Sequence, residues 1–591
     1  MKYSVTENLG DRSGVISNLH CFLNRNMDTG FKTKWSGFWA PPYKFMDYYA
    51  VKINGIWLGE DTVQAAEYGE KMIFHHETDS LRITEKVSAP STVPGIEVEL
   101  DFENKTDKKK AVHAVVEPGV DIRHKNQDID QTDYDVEKGP NRVTVGRNDK
   151  KLMITSDQEF EVTGSRYTKT HRPGELQECF IPGKISFKEE LIDEKKLEIE
   201  FTTSKGVFGQ LENVDQSFEG EDLGRLFKYS LDSVKNLAYD RDEAGVIAGH
   251  PWFQSFWARD SFWTVLGLID AGYFELSEDI LTGYAEKGLP GKINLDGDDE
   301  YKYPRSDTKP LFIIAAEKLE RHFRTNKAIE KAKKEAFESL KTEEKIVDHD
   351  PKGTWMDTLE RNNSVDIQSL WLEATHLENH KKQEELKEGL REFEGEEYIE
   401  DCLESDSPDT INPAVPLMFG QIENERADKY LQKINGEFSS RYGVRTRAVT
   451  DPGYESSGYH SGSSWGLTTC WASAANLRYG HDKKGKGLLE KMNQFLDRNQ
   501  LGALPEIVDS ENGELIGCGE QAWSAGMTIH VIDSYLLGIK VKNSGKVVID
   551  PSENLNCIRT GKKVKDEEID IKIKDGETEI LNNPDLEIEL R

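Results

Sequence analysis

Leu223-Gly224-Arg225-Leu226-Phe227-Lys228-Tyr229-Ser230-Leu231-Asp232-Ser233-Val234-Lys235-Asn236-Leu237 is where the chain changes its hydrophobic period. Leu223, Leu226, Phe227, Leu231, Val234 and Leu237 recur at the spacing of one helical face, the pattern of an amphipathic helix laid on a core. Before this stretch the period is two. Ile96, Val98, Leu100 and Phe102 alternate with Glu97, Glu99, Asp101 and Glu103 until Asn104-Lys105-Thr106 breaks the run. Leu197, Ile199 and Phe201 repeat the alternation, and Val51, Ile53 and Leu81, Ile83 show it over shorter spans. Side chains on a strand point alternately to its two faces, so this is the signature of half-buried antiparallel strands. An N-terminal antiparallel β-sandwich over residues 1–215 is expected.

After the change, helical patterns start near residues 221, 259, 273, 307, 326, 363, 382, 413, 424, 460, 483 and 520, the one near 413 carrying the least pattern. Connections that alternate between short and long predict helical hairpins rather than βαβ units. Six hairpins over residues 216–540 would close into an all-α (α/α)6 toroid; an open helical array is the other arrangement with this count, and no repeated sequence supports it. From about residue 541 the period of two returns at Ile569, Ile571 and Ile573, with a turn at Asp575-Gly576. Residues 541–591 are expected to form a charged β-rich tail docked on the sandwich or the toroid.

A chain of 591 residues is longer than one compact core usually supports, and 9% aromatic content with 11 Trp and 24 Phe is foreign to disordered chains. The formal charge is −32, from 108 acidic and 76 basic residues. Such a surface repels nucleic-acid phosphates and anionic headgroups, so neither nucleic acid nor membrane is an expected partner. Six scattered cysteines form no CxxC pair, Met1–Gly14 contains no apolar signal core, and no long apolar run is present; a reducing cytoplasm is the expected location. No metal or other cofactor is expected. Asp296-Gly297-Asp298-Asp299-Glu300 resembles a calcium loop, but Tyr301 stands where the EF-hand turn requires Gly, so a solvated acidic loop is predicted.

Three groups of residues carry possible chemistry. In Pro251-Trp252-Phe253-Gln254-Ser255-Phe256-Trp257-Ala258-Arg259-Asp260, rings crowd around one Arg-Asp pair. Aromatic faces cover the C–H faces of sugars, and a guanidinium beside a carboxylate binds adjacent hydroxyls; the same residues also suit a helix start with a structural ion pair. Gly353-Thr354-Trp355-Met356-Asp357-Thr358 and Leu504-Pro505-Glu506-Ile507 each set a carboxylate among bulky neighbours. Trp355 and Met356 would desolvate Asp357 and favour its protonated form, although a helix N-cap is the commoner fate of such an Asp. Glu506, flanked by apolar residues, is expected to have a partner or a task. Glu360 and Asp366, in more polar settings, are weaker catalytic candidates. Tyr459-His460-Ser461-Gly462 with Trp465 reads either as a sugar-contact loop or as one holding a structural His. Gln521-Ala522-Trp523-Ser524 opens an apolar helix whose N-terminus would present Gln521 and Trp523.

Together these segments resemble the α-1,6-glucosidase part of glycogen debranching enzymes and, more distantly, glucoamylases, from about His250 to Gly538. Val365-Asp366-Ile367-Gln368-Ser369-Leu370-Trp371 and Gly517-Cys518 also fit the pattern. The resemblance implies an (α/α)6 barrel with an inverting, exo-acting site in which Asp357 is the general acid and Glu506 the general base that activates water. It implies further that Arg259 and Asp260 hold hydroxyls of the terminal glucose, helped by Trp257. Asp307 would be a further sugar contact, and Trp355, His460, Trp465, Gln521 and Trp523 complete the substrate-binding set. Ala258 stands where family members often have Gly, and Ile411-Asn412-Pro413 departs from the pattern. The residues before 215 do not provide for both a sandwich and a transferase barrel, so the two-activity debranching enzymes of eukaryotes are not the pattern to follow. The expected activity is inverting hydrolysis of α-1,6-linked glucose from α-glucans such as glycogen, limit dextrin or maltooligosaccharide. The alternatives are a glucoamylase-like exo-α-1,4-glucosidase and a non-catalytic glucan-binding protein; a phosphorylase is disfavoured by Glu506.

Overall fold

Strand Gly95–Asn104 pairs antiparallel with Glu194–Thr202 in the register Ile96↔Phe201, Val98↔Ile199 and Leu100↔Leu197, so the two alternating runs share one face. All six side chains are buried, at about 2 kcal/mol each on an area basis. The computed structural model describes residues 3–90, 93–106, 108, 110–127, 133–172, 175–191, 194–203, 211, 214–240, 244–296, 305–404 and 407–591. The acidic loop predicted at Asp296–Glu300 lies, from 297 onward, outside the described residues.

The chain divides into two compact units, Met1–Leu211 with Asn236–Asp242 and Asp497–Gly502, and Glu212–Lys235 with Glu243–Leu496 and Ala503–Arg591. In the first, antiparallel sheets of nine and ten strands enclose one core that includes Leu23, Phe38, Phe74, Val98, Val116, Ile154 and Phe201.

The second unit contains twelve α-helices among the described residues. They are α1 (Gly224–Leu237), α2 (Ala258–Asp270), α3 (Phe274–Glu286), α4 (Thr308–His322), α5 (Lys327–Glu338) and α6 (Val365–Leu377). The set continues with α7 (Gln383–Leu390), α8 (Ala414–Met418), α9 (Asn424–Lys433), α10 (Gly466–Arg478), α11 (Asp482–Met492) and α12 (Ala522–Val531). The even-numbered helices close a ring: α2 packs on α4, α4 on α6, α6 on α8, α8 on α10, α10 on α12, and α12 back on α2. Every residue of α2 and of α12 is buried, as an inner layer requires. The closing contact depends on two glycines. A Cβ on Gly267 would lie 2.0 Å from the Gly526 carbonyl oxygen, and one on Gly526 would lie 2.7 Å from Thr264 Cα. This closure is the six-hairpin toroid rather than an open array.

One expectation needs revision. The helix expected from about 460 starts at Gly466, because Ser464–Trp465 is extended and pairs with Gly443–Arg445 and Ile507–Val508. The tail is the β-rich, docked segment expected. Its strand Cys557–Val564 pairs with Ser217–Gly220 on one side and Glu567–Lys574 on the other, and the predicted turn is made by Asp575 and Gly576, both at positive φ. It docks on the toroid: the Lys562 Nζ is 2.7 Å from Asp270 Oδ1 at the end of α2, and Arg559 pairs with Asp533 at 3.0 Å. No helix among the described residues is long and apolar enough to cross a membrane.

Candidate active site

Short strands deliver the inner helices to one another at their N-terminal ends. Phe256–Trp257 pairs with Lys292–Ile293 before α2, Gly249–His250 pairs with Glu520–Gln521 before α12, and Ser464–Trp465 precedes α10. The N-cap residues of these helices are therefore Trp257, Gln521 and Trp465, all in extended backbone and none capping with its side chain. A helix N-terminus offers unpaired N–H groups and a positive dipole end, so polar side chains gathered there have partners and a field.

At the start of α2, Arg259 is 7% exposed and its Nε donates to Asp307, the N-cap residue of α4. Burial opposes the guanidinium charge, yet Asp307, with Asp357 and Asp260, holds it above its ordinary value. Gln521 Nε2 donates to Asp260 Oδ1 at 2.8 Å. Burial pushes the Asp260 carboxyl up to about 7, with Arg259 opposing and the Glu506 charge adding to the rise. The half-buried Trp257 ring has Lys292 Nζ at 5.1 Å and the Arg305 guanidinium carbon at 5.7 Å from its centroid. Three buried polar atoms of this group have no hydrogen-bond partner among the described residues: Arg259 Nη2, Asp307 Oδ1 and Gln521 Oε1. One is a donor and two are acceptors, which is what a polyhydroxylated ligand can satisfy.

Asp357 lies in the loop leading to α6. That loop is tied to the one before α4 by a backbone bond from Ser306 N–H to the Gly353 carbonyl, 2.8 Å. Gly353 is required by the approach, since a Cβ there would sit 2.3 Å from Ser306 Oγ. The same pairing brings Arg305 Nη1 to 3.1 Å from Asp357 Oδ2. Asp357 is not wrapped by its neighbours as its flanks suggest. Trp355 and Met356 point into the core, at 3% and 0% exposure, while the Asp357 side chain is 35% exposed.

Glu506 is 2% exposed. Its backbone N–H donates to the Cys518 carbonyl at 2.9 Å, and the Cys518 N–H returns a 3.0 Å bond to Glu506 Oε2. The Tyr459 hydroxyl donates to Oε1. Burial raises the Glu506 carboxyl above its ordinary range against these two donors, which favour the ionised form.

An aromatic cluster supports both carboxylates. Trp465 Nε1 donates to the Tyr459 carbonyl at 2.9 Å, and its ring stacks on His460 with centroids 5.3 Å apart. Trp355 stands edge-on to His460 and to Trp465, each at 5.3 Å, and Trp523 lies 5.8 Å from Trp465. His460 is buried and held at about 3 by burial, with Arg259 and Arg361 adding, so it is neutral; Nδ1 is 2.7 Å from Thr358 Oγ1. His460, Trp465 and Trp355 are buried and packed on one another. Trp355 Nε1 donates to Asn412 at 2.6 Å, and Asn412 donates to Asp401, which pairs with Arg361 at 2.8 Å. Asn412 belongs to the triplet that departs from the family pattern. The weaker candidates fall elsewhere: Asp366 is buried on Arg361 at 3.1 Å, and Glu360 is a surface residue near Lys352.

Of the residues singled out from the sequence, Arg259, Asp260, Asp307 and Gln521 form one polar group directly after Trp257 in the chain; the Asp357 charge acts on Arg259 and the Glu506 charge on Asp260. Tyr459 and Cys518 stand in the motifs quoted from the sequence without a role of their own, and Arg305 stands in none. Tyr459 had one signal, its place directly before His460; the other two are visible only once the loops meet.

The chain matches the amylo-alpha-1,6-glucosidase family over residues 228–530. Its fold is that of a bacterial glucoamylase solved with acarbose, at 12% identity and a TM-score of 0.58, covering 90% of this chain and 95% of that one. It is also that of a putative kojibiose phosphorylase from the human microbiome, at 8% identity and a TM-score of 0.61, covering 99% and 98%. None of the curated proteins matches this chain.

Proposed function

The chain belongs to the amylo-alpha-1,6-glucosidase family of glycoside hydrolases, and on that premise we propose that it removes single α-1,6-linked glucose units from α-glucan chain ends with inversion. The observation that carries the reading is the set of three unpaired buried polar atoms on Arg259, Asp307 and Gln521, close in the chain or by hydrogen bond to Asp260, whose charges feel those of Asp357 and Glu506. In this reading Arg259, Asp260, Asp307 and Gln521 take the hydroxyls of the terminal glucose while Trp257 covers a C–H face.

Asp357 protonates the departing glycosidic oxygen. It is the more exposed carboxylate, beside Arg305, and so has access to solvent protons between turnovers. Glu506 takes a proton from water on the opposite face of the ring; burial makes it a stronger base, and Tyr459 and the Cys518 N–H fix where its oxygens point. Inversion is the outcome when the second carboxylate activates water rather than attacking the sugar. None of the six cysteines is in a disulfide and all are buried, which suits the reducing cytoplasm as its location.

Linkage is tested by glucose release from a limit dextrin carrying single α-1,6 glucose stubs beside maltopentaose. Faster release from the limit dextrin is expected. Preferential attack on maltopentaose would replace the debranching reading with an exo-α-1,4-glucosidase using the same residues.

A further inference from the structure

Strand Tyr43–Ile53 of the N-terminal unit has an interrupted edge. Its first part pairs with Gly37–Ala40, as in Phe38↔Met46, and its end pairs with Ile56–Trp57, as in Lys52↔Trp57. Between them Tyr48–Ala50 meet no strand on that edge among the described residues, and there a recess of about 280 Å³ opens. Its walls include Phe31, Tyr48, Tyr49 and Leu58, and it reaches Arg25 and Glu85, which are 4% and 0% exposed.

Arg25 Nη1 is fully used, by Glu85 Oε1 at 2.6 Å and the Tyr49 hydroxyl at 2.5 Å, and Nε donates to the Thr29 carbonyl at 3.0 Å. The other half of the pair is loose. Arg25 Nη2 and Glu85 Oε2 are 3.5 Å apart, and His76 Nε2 is 3.5 Å from the same oxygen. Arg25 Nη2 carries a second N–H beyond this long contact and can donate to a sugar hydroxyl at the floor of the recess. Phe31 and Tyr49 meet edge-on at 5.6 Å around the Arg25 guanidinium, supplying apolar and aromatic walls for a pyranose ring. Trp57, 42% exposed, follows directly on the rim strand that leads to Leu58. The combination repeats, on unrelated residues, the Arg–carboxylate pair beside an aromatic ring at Arg259, Asp307 and Trp257.

We propose that this recess is a second sugar-binding site, taking one glucosyl unit of an α-glucan, built entirely from residues outside the unit that carries Asp357 and Glu506. The proposal rests on the α-glucan reading of the catalytic residues. Its effect would be to hold a polymer by a unit other than the one being cleaved, raising the local concentration of chain ends.

The test uses the full chain. In the Glu506→Gln protein, calorimetric titration with maltotriose is expected to find two classes of site, and adding Phe31→Ala or, separately, Leu58→Ala is expected to leave one. Two classes surviving both wall variants, or a single class that both wall variants leave intact, overturns the site. In the otherwise unaltered chain, Phe31→Ala should raise KM for a branched polymer by about tenfold while leaving kcat/KM for a short oligosaccharide within about twofold; equal KM values overturn it. If the unaltered protein releases no glucose from any α-glucan while the wall variants still lose one of two sites, the catalytic reading fails and this site stands.

Discussion

The Tyr459 hydroxyl donates to one oxygen of Glu506 while the backbone N–H of Cys518 donates to the other at 3.0 Å, so a carboxylate that is 2% exposed has both oxygens aimed by donors. Each donor favours the ionised form, and burial works against it with the larger effect. Tyr459→Phe removes one donor. The Glu506 carboxyl should then rise further, and the acidic limb of the kcat/KM profile should move to higher pH by about one unit, the scale of one hydrogen bond to a charged group. A pH–rate series checks this; a limb that stays in place or moves to lower pH removes Glu506 from the base role.

Asp357→Asn and Glu506→Gln should each lower kcat by about 10²–10⁴ with the fold intact, the range for losing one acid–base group. Initial rates on limit dextrin, with circular dichroism as the folding control, measure it. A folded variant with near-normal turnover takes that residue out of the reaction.

Asp260 titrates near 7 and accepts from Gln521, so its ionised form dominates only above neutrality. An ionised carboxylate accepts sugar hydroxyls through both oxygens, and protonation spends one of them. KM should therefore rise as pH falls through about 7, and Asp260→Asn should show no such inflection even though its binding is weaker at every pH. The same inflection surviving in the variant would contradict the assignment.

The tail is fastened by charge at the end of α2. Burial opposes the Asp270 charge, but Lys318 and Lys562, with His530, hold its carboxyl well below the usual range. A depressed carboxyl contributes stability that is present above its unfolded value, about 3.9, and lost as pH falls through its folded one. Lys562→Met leaves Asp270 and Asp533, both buried, each short of one cation. Chemical denaturation near neutral pH should show a loss of about 3 kcal/mol. A loss under about 0.5 kcal/mol, the scale of an ordinary surface change, would mean the pair is not fastening the tail.

The period change at Leu223–Leu237 and the twelve helix starts were legible because an amphipathic face is a local property of sequence. The helix expected from about 460 begins at Gly466, because Ser464 and Trp465 are held extended by pairing with residues 443–445 and 507–508, which local pattern does not reveal. The polar group at Arg259 and Asp260 was legible because its aromatic neighbours are adjacent in sequence. The setting of Asp357 was not, because what matters to it is Arg305, brought in through the Ser306–Gly353 backbone bond, rather than the residues beside it. Tyr459 stayed unassigned for a similar reason: its partner Glu506 lies on the loop before a different helix. Asn412, which fits the family pattern poorly, proves to be the hydrogen-bond seat of Trp355.

Proton NMR of the anomeric region during the first turnovers on limit dextrin tests the central claim most directly. Glucose should appear as the β-anomer and convert to the equilibrium mixture only afterwards, because Glu506 would activate water on the face opposite the bond that Asp357 opens. Initial release of α-glucose would mean retention, with one carboxylate attacking the sugar, and would contradict the roles given to both.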